Sequence, residues 1–123
     1  MRPTIAAAVL ALSLTAASGA YAQDAVAGKT TFAGRCAACH QVEAAKSGPM
    51  APSLKGVFGR KIASLTDFNY SDALKAKTGK WTAAELDTYL ASPLKYAPGT
   101  KMFMAITDAA DRANVIAYLK TVK

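Results

Sequence analysis

The chain is poor in the residues from which sites are usually assembled: its 123 residues hold one histidine, two cysteines and one tryptophan. Both cysteines and the histidine fall within Cys36-Ala37-Ala38-Cys39-His40, so no Cys or His remains elsewhere to complete a four-ligand zinc site. A plain disulfide between Cys36 and Cys39 would close too short a loop to stabilise much. No alternating run is long enough to propose a sheet, and the flanks of the two cysteines read as helical, which removes the βαβ setting that a thioredoxin-like C-x-x-C requires. No Lys/Arg cluster is interleaved with aromatics, which argues against nucleic acid as a partner. The length excludes two domains.

Charge is also missing from the N-terminus, where no charged residue occurs between Arg2 and Asp24. An apolar run from Ile5 to Ala17 is followed by Ala20-Tyr21-Ala22, a small-residue cleavage pattern. Residues 1–22 therefore read as a secretory signal peptide cleaved after Ala22, with residues 23–123 as one exported, periplasmic domain. The competing reading is a retained membrane anchor, which the alanine-rich run, broken by Ser13, Thr15, Ser18 and Gly19, does not favour. Removing 22 of the 123 residues leaves 101, and without Arg2 the 15 basic groups become 14 against 8 acidic ones, a formal +6. A domain of this size is marginal on its hydrophobic core alone and usually adds a disulfide, a metal or a cofactor.

What is present supplies one. Cys36-x-x-Cys39-His40 is the haem-attachment pattern: two thiols on one helical turn can each form a thioether with a porphyrin vinyl group, and the adjacent imidazole then lies under the iron. Around it stand Gly28-Lys29, Phe32, Pro52-Ser-Leu-Lys-Gly-Val-Phe-Gly-Arg60, Phe68-Asn-Tyr70, Trp81, Tyr89-Leu90, Ser92-Pro93, Tyr96-Ala-Pro-Gly-Thr-Lys-Met102 and Ile116-Ala-Tyr-Leu-Lys120. In these motifs and their order, the chain from Asp24 to Lys123 resembles the class I cytochromes c, most closely the mitochondrial cytochrome c and bacterial cytochrome c2 branch.

Periodicity and caps give an all-α reading, which the resemblance makes a cytochrome c fold: three main helices, a short one, and long loops around a single covalent haem. The first helix starts at the N-cap Asp24 and runs to the haem motif. The second opens with the capping box Thr82-Ala-Ala-Glu85, buries Leu86, Tyr89 and Leu90, and stops near Ser92 because of Pro93. The third starts near Thr107 or Asp108 and presents Val115, Tyr118 and Leu119 on one face. A shorter helix covers Ser71 to Ala76. Gly28 and Phe32 are expected where the first and last helices cross. The segment from Gln41 to Asn69 holds Gly48, Pro49, Pro52, Gly56 and Gly59, and an irregular stretch of that length needs something to wrap.

The resemblance implies roles for single residues. His40 and an iron-binding methionine are the axial ligands; Met102 matches the family motif after the turn Pro98-Gly99-Thr100, Met104 is its rival, and Met50 is the third candidate once Met1 is removed. Met104 departs from the aromatic residue common in the family. Pro52, with Pro49 as alternative, offers the carbonyl that accepts the Nδ1–H of His40. Arg60, Tyr70 and Trp81 are expected around the inner haem propionate, Tyr89 beside the Met102 sulfur, and Thr100 in the same pocket. Leu74 stands where much of the family has Asn.

A His/Met haem has no open coordination position and suits electron transfer. The expectation is therefore a soluble periplasmic one-electron carrier, not an enzyme and monomeric, without a permanent membrane anchor. It would pass electrons between respiratory, photosynthetic or dehydrogenase partners: a dehydrogenase, a bc1-type complex, an oxidase or a reaction centre. Acidic surfaces on those partners would meet Lys29, Lys46, Lys95, Lys101 and Arg35 around the haem edge. The alternative is a haem enzyme or gas-binding protein with an opened distal site, peroxidase-like, for which the chain offers no distal histidine.

Overall fold

A computed structural model describes residues 23–123, so the signal-peptide reading of residues 1–22 lies outside the described residues. Five helices follow one another: α1 (Ala25–Arg35), α2 (Asp72–Lys75), α3 (Ala83–Ala91), α4 (Pro93–Tyr96) and α5 (Ala109–Leu119). The only ladder-like pairing among the described residues is an isolated antiparallel bridge between Lys61 and Lys80, so the fold is all-α as the periodicity predicts.

Each main helix begins where a side-chain oxygen can satisfy its free N–H groups. Asp24 accepts from Val26 N and Ala27 N, Thr82 from Glu85 N, and Asp108 from Asp111 N. The predicted capping box at Thr82 is only half made. The Thr82 N–H donates to the Lys80 carbonyl at 2.9 Å, while the Glu85 carboxylate accepts the Tyr96 hydroxyl instead of reaching back. The count of helices also exceeds the expected four. Pro93 ends α3 as predicted and then occupies the first turn of α4, where its fixed φ fits and its missing N–H costs nothing.

α1 packs across α5. Gly28 sits at the crossing so tightly that a Cβ there would lie 1.9 Å from the Asn114 carbonyl oxygen and 2.9 Å from Tyr118 Cβ, so only a glycine fits this backbone approach. Beside it the rings of Phe32 and Tyr118 meet with centroids 5.5 Å apart. Phe32, Val115, Ile116 and Leu119 then join Leu86 and Leu90 of α3 in one apolar core.

The irregular 41–69 segment is held by single bonds rather than a ladder. Leu54 N donates to Gln41 O at 2.9 Å, Trp81 N to Arg60 O at 2.9 Å, and the Ser47 N–H and hydroxyl both donate to the Asp67 carboxylate, at 2.8 and 2.7 Å. These ties leave one wall of the molecule built from loop, and the site lies behind it.

Candidate cofactor cavity

The last turn of α1 runs directly into the cysteine motif. Cys36 N donates to Phe32 O at 2.8 Å and His40 N to Cys36 O at 2.9 Å, so the helical i to i−4 pattern carries the motif inward one turn past the helix end. Cys36 is buried and Cys39 exposed. Burial, only partly opposed by the charge of Arg35, pushes the Cys36 thiol up to about 11, so it stays protonated and neutral at pH 7.

His40 turns its Nδ1 to the Pro52 carbonyl oxygen at 2.8 Å. The carbonyl can only accept, so Nδ1 carries the proton and Nε2 keeps its lone pair. Burial holds the imidazole below its usual range and the positive charge of Arg60 adds to this, while the Pro52 bond opposes it; the ring is neutral at pH 7. The partner is Pro52, not Pro49.

Cys36, Cys39, His40 and Pro52 line a cavity of about 490 Å³, and Thr100, Met102 and Met104 from the loop before α5 line it too. Gly99 takes φ 94 in that loop, a left-handed turn that a side chain would strain. Leu86, Leu90, Val115 and Leu119 supply apolar lining from α3 and α5. A second recess, about 520 Å³ between residues 69–75 and 98–101, is open and polar and receives neither the cysteines nor the histidine.

The three methionines of the described residues all line the cavity, yet they differ in burial. Met102 is half-buried and packed on the core, Met104 is 37% exposed and Met50 is 70% exposed. Thr100 is buried and organises the loop: its Oγ1 receives the Met102 N–H at 3.4 Å and pairs with the Tyr89 hydroxyl at 2.9 Å. The hydroxyl of Tyr89, expected beside the Met102 sulfur, is thus engaged by Thr100, and burial raises its pKa above the usual phenol value. Trp81 stacks on Tyr89 with centroids 5.2 Å apart and also lines the cavity.

Arg60 and Tyr70 line the same space. Arg60 donates from its terminal nitrogens to Ser53 O at 3.0 Å and Lys55 O at 3.3 Å, but its buried Nε has no partner among the described residues. The Tyr70 oxygen accepts the Leu65 N–H at 3.4 Å, which leaves its proton available to an acceptor. A buried guanidinium nitrogen without an acceptor is costly, and an incoming carboxylate would satisfy it. An apolar cavity, a neutral imidazole with a free lone pair, soft thioethers and an orphaned cationic donor fit a haem with its propionates.

Sequence reasoning missed part of the lining. Leu54, Val57, Phe68 and Phe103 face the cavity from irregular segments, where no periodicity marks an inner face. Leu74 lines it from α2. Of the five cations expected around the opening, only Arg35 and Lys101 line it; Lys29, Lys46 and Lys95 are exposed but do not. Spacing along irregular chain does not say which way a lysine faces. The one histidine is committed to Pro52, and the opened distal site of the enzyme alternative finds no support.

Known proteins agree with this geometry. The Cytochrome c family matches residues 25–123. A cytochrome c-type cyt cy of Rhodobacter capsulatus is 48% identical over 99 residues, 80% of this chain and 49% of that protein, so this chain spans about half its length. A cytochrome c of Gibberella zeae is 45% identical over 94 residues, covering 76% of this chain and 89% of that one, and a cytochrome c-554 of Methylosinus trichosporium is 41% identical over 117 residues, covering 94% and 87%. Among solved structures, cytochrome cH from Methylobacterium extorquens superposes with TM-score 0.73 at 46% identity, covering 80% of this chain and 98% of that one. Fold, motif, cavity and relatives converge: the chain belongs to the cytochrome c family of electron carriers, whose cofactor is a covalently attached haem c.

Proposed function

We propose that the chain is an exported, periplasmic carrier of single electrons that performs no substrate chemistry. Haem c, when bound, supplies one iron whose charge changes by a single electron. Cys36 and Cys39 would hold it covalently, and His40 and Met102 would ligate its iron. The observation that carries this reading is the His40 Nδ1 bond to Pro52, which fixes the tautomer and turns the ligating nitrogen to a cavity that Met102 also lines.

The other residues hold charge and exclude water. Arg60, Tyr70 and Trp81 would receive the inner propionate, supported by the partnerless Arg60 Nε. Thr100 and Tyr89 keep the Met102 loop in one conformation through their mutual bond. A thioether ligand favours the reduced iron, and an apolar lining disfavours the extra positive charge of the oxidised one, so both raise the reduction potential. Among the described residues no helix is long and apolar enough to cross a membrane. Cleavage after Ala22 predicts a mature protein starting at Gln23, which mass spectrometry of the exported chain reads directly. Its partners in this reading are larger redox proteins that give and take one electron.

The ligand assignment is tested on purified holoprotein. Met102→Ala should abolish the red absorption band of methionine-ligated ferric haem and lower the potential, whereas Met104→Ala should leave both nearly intact. The reverse outcome would move the ligand to Met104 while leaving the carrier reading in place.

A further inference from the structure

We propose that Asp67, an exposed carboxylate outside the cavity, lowers the electron affinity of the bound haem through a chain of hydrogen bonds that ends on His40, and is thus a positioning residue for the carrier's redox step. The proposal rests on the carrier reading, in which His40 ligates the iron. It adds to that reading a group that does not line the cavity.

The chain begins at the histidine. His40 Nδ1–H donates to Pro52 O at 2.8 Å. The same peptide unit carries the Ser53 N–H, which across a trans amide points the opposite way, and it donates to Ser47 Oγ at 3.0 Å. The Ser47 hydroxyl in turn donates to Asp67 Oδ1 at 2.7 Å. Every donor therefore faces the carboxylate. Electron density is pushed the other way: the negative charge polarises the hydroxyl, its Oγ becomes a better acceptor for Ser53 N–H, and the peptide so polarised presents a better acceptor in Pro52 O. The charged end matters, because a bond to an ionised acceptor is roughly twice as strong as a neutral one.

The links of the chain are fixed independently of it. Ser53 is 1% exposed, its hydroxyl donates to Ala44 O and accepts the Lys55 N–H at 3.2 Å, so the shared peptide cannot rotate freely. The Ser47 N–H makes its own bond to Asp67 Oδ2 at 2.8 Å, which holds the carboxylate from a second side. Arg60 is the opposing charge. It donates to Ser53 O at 3.0 Å, one peptide beyond the chain, and its cation draws electron density away from the site that Asp67 feeds.

The sign follows. A stronger bond at Nδ1 makes the imidazole a more basic ligand, which favours the oxidised iron. Asp67 thus opposes the thioether and the apolar lining, both of which favour the reduced one. A network that only tied the loop together would leave the iron's preference untouched.

Spectroelectrochemical titration of purified holoprotein reads the reduced-to-oxidised ratio at the potential where the parent is half-reduced, and proton NMR of the ferrous form reads the His40 Nδ1–H resonance. Asp67→Asn keeps the acceptor's shape but removes its charge, so the ratio should rise about threefold and the resonance should move upfield. Ser47→Ala cuts the chain while the Ser47 N–H still holds the carboxylate in place. It should act in the same direction, and Ser47→Thr, which returns a hydroxyl, should restore both readouts. A charge acting through space alone gives a different pattern: Asp67→Asn raises the ratio and Ser47→Ala leaves it unchanged, which overturns the proposal. An unmoved Nδ1–H resonance in Asp67→Asn overturns it as well, whatever the Ser47 variants do to the loop. A parent holoprotein without a reversible one-electron couple would instead bring down the carrier reading itself.

Discussion

The crossing of α1 over α5 and the loop wall of residues 41–69 are stabilised in opposite ways. At the crossing, protein meets protein: Gly28 admits the Asn114 carbonyl to within a distance no side chain would allow, and Phe32 fills the adjoining space against Tyr118. Along the loop wall, single hydrogen bonds join strandless segments, and the buried Nε of Arg60 has no acceptor among the described residues. The first region carries its own complement. The second is shaped to meet something the chain does not encode, which is why a domain of this size can be so irregular and still fold.

If that contrast is right, removing the covalent anchor should have the largest effect of any change, because it strips the loop wall of what it wraps and leaves the crossing to stand alone. Cys36→Ala combined with Cys39→Ala is expected to give a largely unfolded apoprotein. Two helices of 11 residues each are too short to persist in water without further packing. Circular dichroism with a denaturant titration measures this, and a cooperative, helical, haem-free double mutant would show that the protein core suffices.

The crossing itself is probed by two substitutions expected to cost less, in this order. Phe32→Ala removes a buried ring and should destabilise the holoprotein by about 3–5 kcal/mol. Gly28→Ala forces the helices apart, because the added Cβ meets backbone rather than a flexible side chain, and should cost about 1–3 kcal/mol. Both are read as shifts in unfolding free energy. A value near zero for Gly28→Ala would mean that α1 slides at little cost, and the crossing would then be no more self-determined than the loop wall.

The same contrast explains what could be read from the sequence. The C-x-x-C-H motif, the α1 and α5 faces and the caps at Asp24 and Asp108 follow from spacing and side-chain chemistry that act over a few residues. The inward face of Tyr89 follows from the helical spacing of α3, the Pro52 contact and the place of Trp81 come from the resemblance, and the structure brings all three to the cavity. Glu85 was misjudged because its carboxylate had two possible donors, and the Tyr96 hydroxyl, brought near by α4, outcompeted the Thr82 N–H. The inward faces of Leu54, Phe68 and Phe103 are illegible because irregular chain has no period. The left-handed Ala63, with φ 55, was likewise invisible, since alanine carries no turn signal.

The smallest expected effect belongs to the loop wall, and it separates a tie made by the chain from one made by the cofactor. Asp67 is fully exposed, yet two donations from Ser47, first its N–H and then its hydroxyl, hold its carboxyl below the ordinary value of 3.8. A group whose pKa is lower in the folded state binds fewer protons there than in the unfolded chain. Its contribution is therefore fully present above pH 3.8 and fades as the pH falls toward the folded-state value. Asp67→Asn should leave a shallower acid limb than the parent in a plot of stability against pH, and Ser47→Ala should act in the same direction by removing the hydroxyl donor while keeping the N–H. The effect should be a modest shift of the acid limb, because exposure to solvent weakens the bond and salt screens the charge. An acid limb unchanged in both variants would mean that this end of the loop is ordered by the cofactor alone, extending its reach from Arg60 to the outer edge of the wall.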